Sequence, residues 1–265
     1  MADLKKGIYI LPSLFTCGNM TCGFLSILAS MHGNFSKAAW FVILAIAFDM
    51  LDGRVARMTK TTSRFGVQLD SLSDLVSFGV APAVLMYNLA LEPMGKAGIA
   101  IAVLFMLASA LRLAKFNVLA EEGVVSKNFM GLPTPASAGV LISFVLSYEL
   151  FIAAPGEDLS FKTIPLLMKS MPAFFKMMPI IMIVLTFLMV SNVPYAAFKN
   201  FKFSRPKAFQ FLVLVIVFLV VVITYPQNTF FIIFALYALS GIVIYFARYW
   251  KMLKKVYGKK EGENE

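Results

Sequence analysis

Apolar residues run through this chain in long stretches divided by short polar links, and most of the stretches carry no polar face of helical period. Ile180 to Val190 and Phe211 to Ile223 are apolar all round. A helix on the surface of a soluble core instead sets an apolar stripe against a charged one. Runs of about 20 residues match the ~30 Å hydrocarbon layer of a bilayer. The pattern predicts an all-α, polytopic membrane protein with about eight transmembrane helices, over roughly 13–33, 37–57, 70–90, 96–118, 134–154, 173–193, 209–225 and 229–249. Gly18, Asn19, Gly23 and two cysteines interrupt the first, and Tyr225-Pro226-Gln227-Asn228-Thr229 makes a short turn between the last two. The longest links, about 119–133 and 155–172, cover the membrane core rather than fold alone. Residues 1–265 therefore read as a single integral membrane domain.

Charge orients these spans. The sequence is 60% hydrophobic, with 24 basic and 14 acidic residues, and its mean hydropathy is +0.81. With a cytoplasmic N-terminus, 19 of the 24 basic residues fall in inside segments, leaving Lys37, Lys96, Lys162, Lys169 and Lys176 outside. The positive-inside bias predicts a cytoplasmic (inner) membrane protein with both termini in the cytoplasm. The net charge of +10 is spread over membrane-proximal links without a nucleic-acid-binding module, so it points to anionic lipid headgroups and not to nucleic acid. Cys17 and Cys22 are too few for a disulfide scaffold or a complete thiolate zinc site. The single histidine, His32, excludes chemistry built on paired histidine-lysine-aspartate modules.

Against this apolar background stand Asp49, Asp52, Asp70 and Asp74, four carboxylates within 26 residues. Asp49 and Asp52 are i,i+3 near the cytoplasmic end of the second span, and Asp70 and Asp74 are i,i+4 at the start of the third. The Met58 to Leu69 segment reverses the chain and brings the two faces together. Converging carboxylates repel one another, which predicts bound divalent cations or strongly raised proton affinity. Oxygen ligands favour Mg2+ or Mn2+, with Ca2+ an alternative. Such ions suit a pyrophosphate substrate, and one carboxylate can take a proton from an attacking hydroxyl. A transporter would place its acids near the midplane with alternating access; these lie at one membrane surface, where the cytoplasmic active site is expected.

The array reads D-x-x-D-G-x-x-A-R-x8-G-x3-D-x3-D, from Asp49 through Gly53, Ala56, Arg57 and Gly66 to Asp74. In this it resembles the CDP-alcohol phosphatidyltransferase family. The resemblance implies that fold, with two divalent cations on Asp49, Asp52, Asp70 and Asp74, and Asp74 also the general base. It implies a surface for the CDP moiety at Gly53, Ala56 and Gly66, with Arg57 supporting phosphates or metal ligands. The spans that carry the array make 37–118 the expected catalytic core, with additional C-terminal spans in 173–250, and the resemblance further implies a homodimer.

The wider chain is similar to the serine-accepting, membrane-integral branch of that family, through Leu11 to Phe24, Phe65 to Pro82, Ala110 to Asn117 and Gly131 to Pro135. That resemblance implies CDP-diacylglycerol, or an ether-lipid analogue, as donor and L-serine as acceptor. Glycerol phosphate and inositol phosphate are the rival acceptors; being larger and more anionic, they call for a broader basic pocket. Arg112 is the first candidate for the serine carboxylate, with Lys115 and Asn117 as further acceptor-binding candidates. Asn19 is placed either to satisfy a backbone group, the reading its setting favours, or to face the site.

Overall fold

The computed structural model describes residues 2–59, 63–122, 129–153, 165–195, isolated positions within 213–222, and 224–261. The described elements are almost all helical. They are α1 (Ala2–Met31), α2 (Phe35–Thr59), α3 (Arg64–Asp74), α4 (Ala81–Met86), α5 (Lys96–Glu121), α6 (Thr134–Ala153), α7 (Pro165–Val190) and α8 (Pro226–Glu261). A two-residue strand β1 (Phe129–Met130) pairs antiparallel with β2 (Pro194–Tyr195). Helices prevail because a backbone in hydrocarbon must satisfy its polar groups within its own segment. The chain is an integral, polytopic membrane protein.

Among the described residues, six helical segments are long and apolar enough to cross a membrane, rather than the eight expected: Pro12–Met31, Arg64–Met94, Lys96–Glu121, Thr134–Ile152, Ser170–Val190 and Pro226–Tyr245. The expected span at 37–57 is a helix, α2, but Lys37 near its start and Asp49, Asp52, Arg54 and Arg57 in its second half leave it no long uncharged stretch. The expected span at 209–225 falls largely outside the described residues. Two boundaries also move. The reversal expected over Met58 to Leu69 is narrower, because α2 runs to Thr59 and α3 starts at Arg64, where Ser63 caps it by accepting from the Gly66 N–H at 3.0 Å. The link expected over 155–172 is shortened by α7, which begins at Pro165 and continues through Pro172 and Pro179. Packed neighbours and a non-aqueous surround tolerate such prolines in a membrane helix.

The rod from Arg64 to Met94 is not uniform. Directly after Asp74 it widens into a π-helical segment, Leu75–Val80, resumes as α4, and widens again over Tyr87–Leu91. The Ala81 N–H reaches back to the Val76 carbonyl, an i to i−5 bond. Pro82 follows immediately and has no N–H to give, so the regular ladder is already broken there. Widened turns of this kind concentrate at functional sites.

α6 lies at the centre of the bundle. Leu141, Ile142, Phe144 and Val145 are all buried, and α6 packs against α2, α7 and α8. Phe144, Tyr148, Phe175 and Phe231 form an aromatic cluster on it, with Tyr148 and Phe175 stacked at 4.5 Å. α1 covers α2 and the α3–α4 rod. It approaches closely at Gly23, where a Cβ would come within 2.8 Å of the Ser77 Cα. A Gly23→Ala substitution pushes a methyl group into that backbone and is expected to cost about 1–3 kcal/mol. The readout is the thermal midpoint of the detergent-solubilised protein, and an unchanged midpoint would refute the contact.

Candidate active site

Three helices converge on the acids. α2 presents Asp49 and Asp52, and α3 presents Asp70 and Asp74 one turn apart. Asp49, Asp70 and Asp74 each offer an oxygen lying within 4.8 Å of the others, and Asp49 stands within hydrogen-bonding reach of Asp74. Asp74 is 8% exposed, and Asp70 Oδ1 is buried with no hydrogen-bond partner. Three anionic groups this close, one with an orphaned oxygen, oppose folding unless a cation or proton joins them. Carboxylate oxygens are the donors that hard divalent cations take. The triad is thus able to coordinate a divalent cation.

Asp52 stands beside the triad, within electrostatic reach of Asp49 and Asp70. It is 5% exposed, and its Oδ2 accepts a hydrogen bond from Thr16 Oγ1 at 3.0 Å. Thr16 is one of two residues by which α1 serves the acids. Asn19, fully buried, donates through Nδ2 to Asp74 Oδ1 at 3.2 Å, while its own Oδ1 is unpartnered. α1 is held in register by the reverse contacts, in which Ser73 Oγ donates to the Thr16 carbonyl and Ser77 Oγ to the Asn19 carbonyl, at 3.0 and 2.9 Å. The sequence left Asn19 between facing the site and satisfying a backbone group, and the structure places its side chain on the acidic cluster. It gave no sign of Thr16; the one available clue is that Thr16 and Asn19 are i,i+3 and share a face.

Around the acids lie the remaining residues of the array. A Cβ on Gly53 would meet nothing nearer than the Arg57 guanidinium at 3.9 Å, so open space adjoins Asp52. Ala56 is half-buried, and Arg57 and Arg54 are exposed. Gly66 sits in the cap of α3, where a Cβ would lie 3.2 Å from Ser63 Oγ.

The three acceptor candidates on α5 separate. Arg112 is half-buried, lies within electrostatic reach of Asp74, and donates from Nη1 to Thr134 Oγ1 at 3.4 Å, while its Nε is buried without a partner. Asn117 Nδ2 donates to Ser71 Oγ at 2.9 Å, tying α5 to α3. Lys115 Nζ donates to Asn192 Oδ1 at 3.0 Å, beyond the end of α7. The Gly131 to Pro135 segment reaches the site through Thr134. Gly131, at φ +79°, donates its N–H to the Val193 carbonyl at 2.9 Å, in a space where a Cβ would lie 2.5 Å from the Met189 carbonyl oxygen.

The CDP-alcohol phosphatidyltransferase signature matches residues 9–247, and the chain belongs to that family. It is 32% identical over 258 residues to the CDP-diacylglycerol–serine O-phosphatidyltransferase of Helicobacter pylori strain ATCC 700392 / 26695, covering 96% of this chain and 98% of that one. It is 44% identical over 150 residues to the archaetidylserine synthase of Methanothermobacter thermautotrophicus, which spans 56% of this chain and 63% of that one. With the Bacillus subtilis CDP-diacylglycerol–serine O-phosphatidyltransferase it shares 35% identity over 146 residues, 55% of this chain and 81% of that one.

Metal binding tests the cluster apart from turnover. Asp70→Asn is expected to weaken Mn2+ affinity of the purified protein by more than about tenfold, and Asn19→Ala, which removes only a supporting bond, by about tenfold. Mn2+ paramagnetic resonance reads both. Unchanged affinity in Asp70→Asn rules the cluster out as the ion site.

Proposed function

We propose that this protein transfers the phosphatidyl group of CDP-diacylglycerol to the hydroxyl of L-serine, forming phosphatidylserine and CMP. The observation that carries this reading is the convergence of Asp49, Asp70 and Asp74 in a chain that matches a serine-transferring relative over 96% of its length. Two divalent cations, Mg2+ or Mn2+, fit the acidic set of Asp49, Asp52, Asp70 and Asp74, and when bound supply Lewis-acid neutralisation of pyrophosphate charge.

The protein's own groups do the rest. Asp74 is the general base. With Oδ1 engaged by Asn19, its second oxygen takes the serine hydroxyl proton. The serine oxygen attacks the phosphorus that carries the diacylglycerol, a new P–O bond forms, and the bond to the CMP phosphate oxygen breaks. Proton removal and leaving-group departure occur at different places, so no covalent protein intermediate is needed. The surface at Gly53, Ala56 and Gly66, with open space beside Gly53, receives the CDP moiety, and the exposed Arg57 supports its phosphates. Arg112, with an unused buried donor, binds the acceptor carboxylate. Lys115 and Asn117, engaged with Asn192 and Ser71, belong to the frame of the acceptor pocket.

The broader setting is part of the same reading. The basic-residue bias supports a cytoplasmic (inner) membrane protein with both termini and the active site in the cytoplasm. The array's placement supports one integral domain with its catalytic core in 37–118. The homodimer rests on the family resemblance, and the similarity to an archaetidylserine synthase supports testing an ether-lipid donor.

The test is donor-dependent CMP release and lipid product formation by the purified protein in vesicles, with serine, glycerol phosphate and inositol phosphate in separate reactions. Serine is expected to give product, chelation of divalent ions to abolish it, and Asp74→Asn to lower kcat by about 10²–10⁴-fold. Preference for a phosphorylated acceptor would overturn the serine assignment. Near-normal turnover in Asp74→Asn would remove Asp74 as the base.

A further inference from the structure

Arg112 does not stand alone at the acceptor end of the site. Its Nη1 donates to Thr134 Oγ1, the first residue of α6, and its Nε is buried without a partner. It also lies within electrostatic reach of the Tyr237 hydroxyl. Tyr237 comes from α8, far along the chain from the acidic array, in the C-terminal part that carried no sign of chemistry in the sequence.

The packing of α8 explains how Tyr237 arrives there. Phe234, Tyr237, Ala238 and Gly241 follow the spacing i, i+3, i+4, i+7 and share one helix face. Phe234 lies against Gly139 of α6, Gly241 lies under the Tyr195 ring, and Tyr195 Oη donates to the Ala238 carbonyl at 3.1 Å. Tyr195 is fully buried in β2, and its ring centroid is 5.6 Å from that of Tyr237. The face that carries Tyr237 is therefore pinned to α6 and to β2, on either side of Tyr237 in the sequence, and α6 begins at the residue that holds Arg112.

Resting on the assignment of Arg112 to the acceptor carboxylate, we propose that Tyr237 is a specificity-determining residue, its hydroxyl joining the Arg112 guanidinium in binding the carboxylate of the amino-acid acceptor. The charge arithmetic suits that ligand. One guanidinium balances one negative charge, and a phenol adds a neutral donor for the second carboxylate oxygen without adding a second positive charge. A phosphorylated alcohol brings close to two negative charges and a tetrahedral head, for which one cation and one neutral donor are a poor match.

The experiment measures kcat, serine KM and donor KM for the full-length protein in vesicles, in Tyr237→Phe, Arg112→Gln and Tyr195→Phe. Tyr237→Phe keeps the ring against Tyr195 and removes only the hydroxyl. It is expected to raise serine KM about tenfold, the factor of one hydrogen bond to a charged group, with kcat and donor KM within about twofold of the parent. It is also expected to narrow the preference for serine over serinol, which lacks the carboxylate. Tyr195→Phe reports packing and is expected to leave serine KM in place. If Arg112→Gln raises serine KM and Tyr237→Phe does not, the role of Tyr237 is overturned while the assignment of Arg112 stands. If neither moves it, the Arg112 assignment itself falls. If Tyr237→Phe and Tyr195→Phe change serine KM alike and lower the unfolding temperature together, Tyr237 acts only through packing and the proposal fails.

Discussion

The mutual repulsion of carboxylates brought together from two helices is the constraint around which the protein is organised. α2 and α3 cannot approach with Asp49, Asp70 and Asp74 facing one another unless something opposes the charge. Part of the opposition is internal. α1 lies over both helices and supplies neutral donors, Thr16 to Asp52 and Asn19 to Asp74, while Ser73 of α3 and Ser77 of the π-helical segment after it return their hydroxyls to the carbonyls of the same two residues. This reciprocal arrangement fixes the rotation and the height of α1 against α3 at once. The orphaned oxygen on Asp70 marks where the protein's own donors stop.

The acids were legible in the sequence because catalysis of this kind needs fixed chemical types at fixed spacing, and charged residues are conspicuous among apolar ones. The helical class was legible for the same reason. The number of spans was less so: α2 carries the chemistry at its own end, and the charge that makes the site visible makes the helix look less like a membrane span. Helix ends at Thr59, Arg64 and Pro165 were displaced because local capping and tertiary support outweigh the polar and proline signals that mark boundaries. Thr16 and Tyr237 were hidden for a different reason. A threonine within a membrane helix and a tyrosine in an apolar run are ordinary residues, and only the packing of distant helices gives them a carboxylate or a guanidinium to face.

The division between a chemical half and a supporting half of the chain also softens in three dimensions. Thr134 connects Arg112 to the first turn of α6. The β1–β2 pair and the Gly131 N–H tie the segment before α6 to the end of α7. α8 then packs on α6 through glycine-aromatic contacts. Acceptor chemistry and bundle stability thus draw on the same elements.

The widened turns after Asp74 divide the rod into two parts that differ in rotation. Each i to i−5 segment takes up one residue more than an α-helical turn, and in an α-helix one residue is worth about 100° of rotation. The acids upstream of Leu75 and the apolar contacts downstream of Val80 are consequently set in separate angular phases, although they share one continuous rod. A single helical wheel drawn through Arg64 to Met94 would scatter both faces. Two wheels, broken at the widening, let the polar end answer to the reaction and the apolar end answer to the bundle.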